Sequence, residues 1–251
     1  MNSNILEIKT VNISSLLRMS IGSLILQLLS ILAGAIVLGV WGIQANSALS
    51  YFETMQESIW IGFLMDDIFS ITLVALYLFT FLGIFYYLAR IHLTLSLVGV
   101  MMIFTAVVFC VTAHSGFSML FLGERYWATT DEVTRQQLLA AGEAVIARNL
   151  WHSTPGFFSG LFLQGGGLLL SLVMLHSPQF GKVTAISGII ANGLDLCQHV
   201  LGHFRFPVPD TILYIAGPLY IIWFAGMLVD AVRMDRSLQV VSNSLKEDGH
   251  G

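Results

Sequence analysis

The fifth apolar segment of the chain carries polar side chains whose spacing could support chemistry. Asn192, Asp195, His199 and His203 follow one another at intervals of three, four and four residues. A helix places residues at these intervals on one face, so the four side chains form a single stripe. Two imidazoles one turn apart can bind one metal ion, and Asp195 could be a third ligand or could orient His199. The stripe predicts a site for a divalent transition metal such as zinc, or a polar pocket without metal.

A pair of acids is predicted to lie at a similar depth on another helix. Asp66 and Asp67 lie about 10 Å below the outer end of the second apolar segment, which begins at Ile59. Asp195 lies about 12 Å below the outer end of the fifth helix at His203, at roughly 1.5 Å per helical residue. We predict that Asp66 or Asp67 is the catalytic base that activates a metal-bound water. The alternative is that the two acids lie at the membrane interface, if their helix enters the membrane later than Ile59.

Histidines at the ends of neighbouring segments add to this group. His114 ends the third segment, with Cys110 one turn beneath it, and His152 precedes the fourth. We predict His114 as a further metal ligand, and Asn192 and His152 as residues of the pocket. Histidines at helix ends also cap the helix or extend to the membrane surface, so the predicted pocket does not depend on a metal.

These polar groups are unusual because the rest of the chain is apolar. Hydrophobic residues make up 56% of it and charged residues only 10%, against roughly 25% charged in soluble domains. Six continuous apolar segments each reach the roughly 20 residues that cross a bilayer as a helix. They are residues 17–43, 59–89, 93–114, 156–176, 183–201 and 211–232. We therefore predict an all-α fold, a polytopic transmembrane bundle of about six helices that forms one domain over residues 1–251, with a polar tail at 237–251.

Charge predicts the orientation of the bundle and the class of its partners. With the N-terminus inside, the inner segments carry seven Lys and Arg residues and the outer segments four. Basic residues favour the cytoplasmic side, so both termini are predicted to be cytoplasmic in a multi-pass protein of the cell membrane. The net charge of −4 argues against nucleic acid. The expected partners are membrane lipid and a small-molecule or lipid ligand.

The long connection between the third and fourth spans, residues 115–155, is predicted to lie outside. Thr129 and Glu132 form a capping-box pattern. The apolar residues that follow share one half of a helical wheel. This pattern predicts an amphipathic helix across the outer mouth of the bundle. The alternative is a solvated connector with an incidental apolar stripe.

Several stretches in the second half of the chain carry a resemblance to known membrane proteins. They are RYWATTDEVTRQQ, LAAGEAVIARNLW, GGGLLLSLVMLHSPQFGKVTAISGIIANGLDL and, near the end, AGPLYIIWFAGMLVDAVRM. From about Leu120 onward the chain resembles a bacterial family of unknown function, domain of unknown function four-three-eight-six. The resemblance implies six spans and a bacterial or archaeal origin, and it implies no reaction.

Three functions fit these observations, and whether the chain is an enzyme stays open. The first is a metal-dependent membrane hydrolase acting on a lipid, by analogy with the H-x-x-x-H of alkaline ceramidases and adiponectin receptors, whose zinc site lies on the cytoplasmic side. The second is a transporter or small-molecule binding protein in which the intramembrane aspartates carry protons or cations. The third is a structural or accessory subunit without catalysis. The sequence contains no G-x-S-x-G, H-E-x-x-H or phosphate-loop motif.

Overall fold

A computed structural model describes residues 3–41, 47–64, 68–148, 153–207 and 211–248. The predicted Asp66, Asp67 and His152 lie outside the described residues. Every regular element within the described ranges is a helix, which confirms the all-α prediction. The α-helices are α1 (Ser3–Trp41), α2 (Ala48–Glu57), α3 (Ile59–Phe63), α4 (Phe69–Ala113), α5 (Gly116–Ala128), α6 (Glu132–Ile146), α7 (Thr154–Leu175), α8 (Lys182–His203) and α9 (Thr211–Asp248).

Burial along α1 is the reverse of that in a water-soluble helix. Ser20 and Gln27 are fully buried, whereas Leu29 and Leu32 are more than half exposed, at 55% and 59%. A helix in water turns its apolar face inward and its polar face outward. In a bilayer the surrounding lipid is apolar, and polar side chains bond to one another inside the bundle. The chain is therefore a membrane-embedded helical protein.

Four described stretches are long and apolar enough to cross a membrane, fewer than the six predicted. They are Ile13–Val37, Phe69–Ala128, Thr154–Leu175 and Tyr214–Val240. Two predicted spans are merged into the second of these. Helix α8 begins and ends within two residues of the predicted fifth span, but it is not among the four. Its many polar side chains lower its hydropathy.

Helix α4 is interrupted at His92, between the predicted second and third spans. His92 has extended backbone angles (φ −151°, ψ 91°), and its Nδ1 accepts a hydrogen bond from the N–H of Leu95 at 3.3 Å. The two halves also pack on different neighbours, because Gly83 lies against Ser20 of α1 and Gly99 against Leu170 of α7. A straight helix of 45 residues would be about 68 Å long, over twice the roughly 30 Å of hydrocarbon. His92 therefore divides α4 into two helical segments.

The short helices between α1 and α4 pack against those between α4 and α7 and form a second, small core. Buried side chains from α2, α3 and α5 pack together in it, with Phe52 fully buried at its centre. Helix α6 packs mainly against α2 and α5, where Gly142 lies against Ala48 and Phe52. The amphipathic helix was thus predicted at the right position in the sequence, and it is one of several helices in this cluster. Helix α5 was not predicted.

The predicted capping box of α6 is wrong by two residues. Asp131 is the N-cap, and its carboxylate accepts a hydrogen bond from the N–H of Thr134 at 2.9 Å. Thr129 instead lies at the C-cap of α5. The capping-box pattern in the sequence could not place the N-cap of α6, because the sequence does not show that α5 ends just before it. The pKa of Asp131 is lowered mainly by the hydrogen bond from the Thr134 hydroxyl and, to a lesser extent, by the one from the Thr134 N–H.

Helix α9 continues to Asp248, past the predicted end of the sixth span and into the predicted polar tail. Contacts with α1 support the first turn of this extension, just past the predicted span. Asp235 accepts a hydrogen bond from the hydroxyl of Ser14 at 2.6 Å and lies 3.6 Å from the guanidinium of Arg18.

Candidate functional site

The predicted polar stripe of Asn192, Asp195, His199 and His203 faces α7 and α9. Thr184 and Gly188, which were not predicted, continue this face toward the start of α8, and we call the six residues together the α8 stripe. Side chains off the stripe, such as Val183, Ile186 and Ile190, are exposed at 72%, 46% and 43%. The exposed Cys197 also points away from the stripe, as the sequence predicts. The stripe is therefore the inward face of an otherwise apolar helix.

Asp195 lies between helices α7 and α9, which each provide one hydrogen-bond donor. Gln164 of α7 donates from Nε2 to Oδ2 at 3.1 Å, and Tyr220 of α9 donates from its hydroxyl to the same oxygen at 2.9 Å. The other oxygen, Oδ1, has no hydrogen-bond partner among the described residues. The half-buried carboxylate thus has one oxygen held by the protein and one oxygen open to a further partner.

Asn192 is held one turn away in a tight space between α7 and α8. It is fully buried, and its Nδ2 donates to the carbonyl of Gly188 at 2.8 Å. A Cβ atom at Gly167 of α7 would collide with the Asn192 amide, so the glycine is needed for this contact. The predicted pocket residue Asn192 is therefore next to Asp195, but it is a packed side chain with its donor already in use.

The two histidines of the stripe are fixed by backbone carbonyls. His199 donates from Nε2 to the carbonyl of Phe157 at 2.9 Å, and His203 donates from Nδ1 to the carbonyl of His199 at 2.8 Å. Their rings lie 4.4 Å apart between centroids. A Cβ atom at Gly160 would collide with the His199 ring, so α7 has a glycine where the imidazole packs. The Nε2 of His203 is buried without a hydrogen-bond partner in the described part of the chain.

The structure gives no support to the predicted metal site. Among the described residues, no group of three or more His, Cys, Asp or Glu side chains is placed to hold a metal ion. His199 and His203 do lie side by side, as the spacing predicts, but each uses one ring nitrogen to bind a carbonyl. The predicted set of Asp195, His114, His199 and His203 is thus not assembled as a coordination sphere.

His114 lies at the end of α4, where its contacts are with its own helix. Its Nδ1 donates to the carbonyl of Cys110 at 2.8 Å and lies 3.8 Å from the Cys110 sulfur. This is the relation that the sequence predicts for the pair. We call this end of the bundle, at which α5 and α6 lie, the connector end. The imidazole lines a polar cavity there.

At the opposite end of the α8 stripe, α9 contributes a second acid that was not predicted from the sequence. Asp230 of α9 accepts hydrogen bonds from the Thr184 hydroxyl at 2.8 Å and from the Gly181 N–H at 2.9 Å. Its other oxygen lies 3.7 Å from the Arg233 guanidinium. Asp230 is therefore a satisfied structural acid, in contrast to Asp195.

Polar atoms without partners lie between the two acids. Ser171 Oγ and Trp223 Nε1 are buried and unpaired within the described residues, and both lie close to Gly188. Gln164 Oε1, beside Asp195, is also buried and unpaired there. Each unpaired buried group costs about 1–3 kcal/mol. The interface of α7, α8 and α9 is therefore a polar seam through an apolar bundle.

Comparison with family models, with curated proteins and with solved structures finds no match to this chain. The resemblance to domain of unknown function four-three-eight-six therefore stays a prediction.

Proposed function

We propose that this chain is an ion-coupled membrane transport protein in which Asp195 takes up and releases a proton or a small cation. The observation that carries the proposal is the missing counter-charge at Asp195. Two other acids among the described residues lie at the bundle interfaces, Asp230 and Asp235, and each is within 4 Å of an arginine, at 3.7 Å and 3.6 Å. In the described part of the chain, Asp195 has no such cation.

A carboxylate without a counter-charge inside a bundle is costly to keep ionised. Insertion scales give about 2.5–3.5 kcal/mol for an aspartate at the centre of a span. A bound proton or cation removes this cost, and Oδ1 is the open position for it. A metal-dependent hydrolase has less support, because no set of three metal-ligating side chains is assembled among the described residues.

The proposal includes six crossings: α1, the two halves of α4, α7, α8 and α9. The break at His92 supports counting α4 twice. The polar seam supports counting α8, because its polar side faces α7 and α9 while its apolar side is exposed. In the proposed orientation both termini are cytoplasmic and the connector end is outside.

Charge displacement in proteoliposomes on a solid-supported membrane tests this function. Concentration jumps of protons, of alkali cations and of a panel of amino acids, sugars and organic amines are applied to the wild-type protein. We expect a current for at least one of these jumps and its loss in Asp195→Asn, which resembles the protonated acid. Glu132→Gln, which removes one exposed acid from α6, is the matched control and should keep the current.

Two outcomes would overturn the proposal. One is a folded wild-type protein that gives no current with any jump in the panel. The other is an Asp195→Asn protein that keeps the full current. The melting temperature of each reconstituted protein shows that a lost current is not lost folding.

A further inference from the structure

A polar cavity of about 240 Å³ lies at the connector end, separate from the α8 stripe. It is bordered by the last turn of α4, the first turn of α5, the end of α6 and the first turn of α7. Its polar lining consists of Thr112, His114, Ser115, Ser118, Arg148 and Ser153. These side chains carry hydroxyl, imidazole and guanidinium groups, and no acid is among the described residues that line the cavity.

Arg148 is an exposed cation beside this cavity, and it has no ion-pair or aromatic partner among the described residues. The ion pairs of the described residues use Arg18 and Arg233, and Arg125 and Arg135 each lie over an aromatic ring. Arg148 has neither kind of contact within the described ranges. Its charge is thus available to a ligand.

The serine hydroxyls around the cavity can donate to a ligand. The Thr112 hydroxyl already donates to the carbonyl of Phe109, and neutral His114 donates from Nδ1 to the carbonyl of Cys110, which leaves its Nε2 as an acceptor. Ser153 accepts from the Gly156 N–H, so its own hydroxyl hydrogen is left to donate. Ser115 is the N-cap of α5 and makes no side-chain capping bond. The first turns of α5 and α7 both border the cavity, and the N-terminal end of a helix favours negative charge.

We propose that this cavity binds an oxyanion of the size of phosphate, with Arg148 as its charged partner. The volume of the cavity, about 240 Å³, has room for a phosphate ion together with bound water. It is below the about 300 Å³ of pockets for drug-sized ligands. A guanidinium matches the geometry of phosphate oxygens, and serine hydroxyls supply further donors. The phosphate is either a free anion or the phosphodiester of a lipid, because the cavity adjoins the end of an apolar helix.

Binding is tested with the full chain purified in detergent and phosphate-free buffer. Inorganic phosphate is titrated while the melting temperature is recorded, and native mass spectrometry compares retained phosphatidylglycerol with phosphatidylcholine. We expect binding in the wild type that is at least about tenfold weaker in Arg148→Gln, since a hydrogen bond to a charged group contributes about 1.5–3 kcal/mol. Arg125→Gln removes a charge from the last turn of α5 that does not line the cavity, and this variant should bind as the wild type does.

A second variant fills the cavity without changing Arg148. Ser118→Leu places an apolar side chain on its wall and should also abolish binding.

Each outcome decides the proposal. Arg148-dependent stabilisation by inorganic phosphate supports a free oxyanion as the ligand. Arg148-dependent retention of phosphatidylglycerol, without a response to phosphate, supports the lipid phosphodiester. No binding of either probe, or binding that is equal in Arg148→Gln and Arg125→Gln, overturns it. The test does not involve Asp195, so its result is independent of the proposed transport function.

Discussion

The contact between Gly167 and Asn192 gives a sharp test of the geometry of the polar seam. Gly167→Ala adds one methyl group that collides with the amide of Asn192, which is fully buried and bonded to a carbonyl of its own helix. Overpacking of this kind costs about 1–3 kcal/mol. The alanine also gains about 0.4–1 kcal/mol from the reduced entropy of the unfolded chain. The net change therefore combines two opposing effects.

Gly193→Ala is the matched control, because it separates these effects. Gly193 is also inside a helix, next in sequence to Asn192, but a Cβ atom there has no neighbour within 4 Å. Both variants share the gain from alanine, so the difference between them is the steric cost alone, about 1–3 kcal/mol. At about 2–4 °C per kcal/mol for a chain near this length, Gly167→Ala should melt roughly 2–12 °C below Gly193→Ala.

The assay is thermal unfolding of both purified variants in the same detergent, followed by intrinsic fluorescence. Equal melting temperatures would show that α7 and α8 do not approach each other as closely as the contact between Gly167 and Asn192 requires. The contact between Gln164 and Asp195 would then be wrong as well, because it also depends on how closely α7 approaches α8.

Further predictions concern the donor to the intramembrane acid, the cap of α6 and the break in α4. Tyr220→Phe removes a hydrogen bond of 2.9 Å and should lower stability by about 0.6–1.7 kcal/mol, the range of such bonds between membrane helices; a melting temperature equal to the wild type would contradict it. The lowered pKa of Asp131 means that its cap stabilises α6 above the unfolded pKa of about 3.9 and stops doing so as pH falls through the folded pKa. At neutral pH, Asp131→Ala should therefore speed hydrogen exchange at the Thr134 amide, and unchanged exchange counts against the cap. In a background without native cysteines, cysteines placed at His92 and at Lys182 should react with an impermeant reagent from the same side of the membrane; reaction from opposite sides refutes the reversal at His92.

The α8 stripe could be predicted because it depends on spacing along one helix. Asn192, Asp195, His199 and His203 share a face whatever the rest of the fold does. The partners of Asp195 could not be predicted in the same way. Gln164 lies on a different helix, and the rotation of α7 about its axis is set by packing that spacing does not encode.

The predicted metal site failed to gain support for a related reason. Spacing alone does not show that the carbonyl of Phe157 takes the Nε2 hydrogen of His199, or that His114 packs along its own helix. Asp230 was missed because the sequence does not separate a satisfied acid near a helix end from a solvated one. The short helices α2 and α5 were missed because they lie in two different connections and are stabilised by the small core that they form with each other, which spacing along the chain does not show.

Infrared difference spectroscopy of reconstituted protein tests most directly whether Asp195 exchanges a proton or a cation inside the bundle. Spectra are compared between acidic and neutral pH and with and without alkali cations, for the wild type, Asp195→Asn and Asp230→Asn. We predict a carboxyl band that changes with pH or cation in the wild type and in Asp230→Asn, because Asp230 is already paired with Arg233, and that is absent in Asp195→Asn. A wild-type spectrum without such a band, or a band that persists in Asp195→Asn, would contradict the proposed role of Asp195.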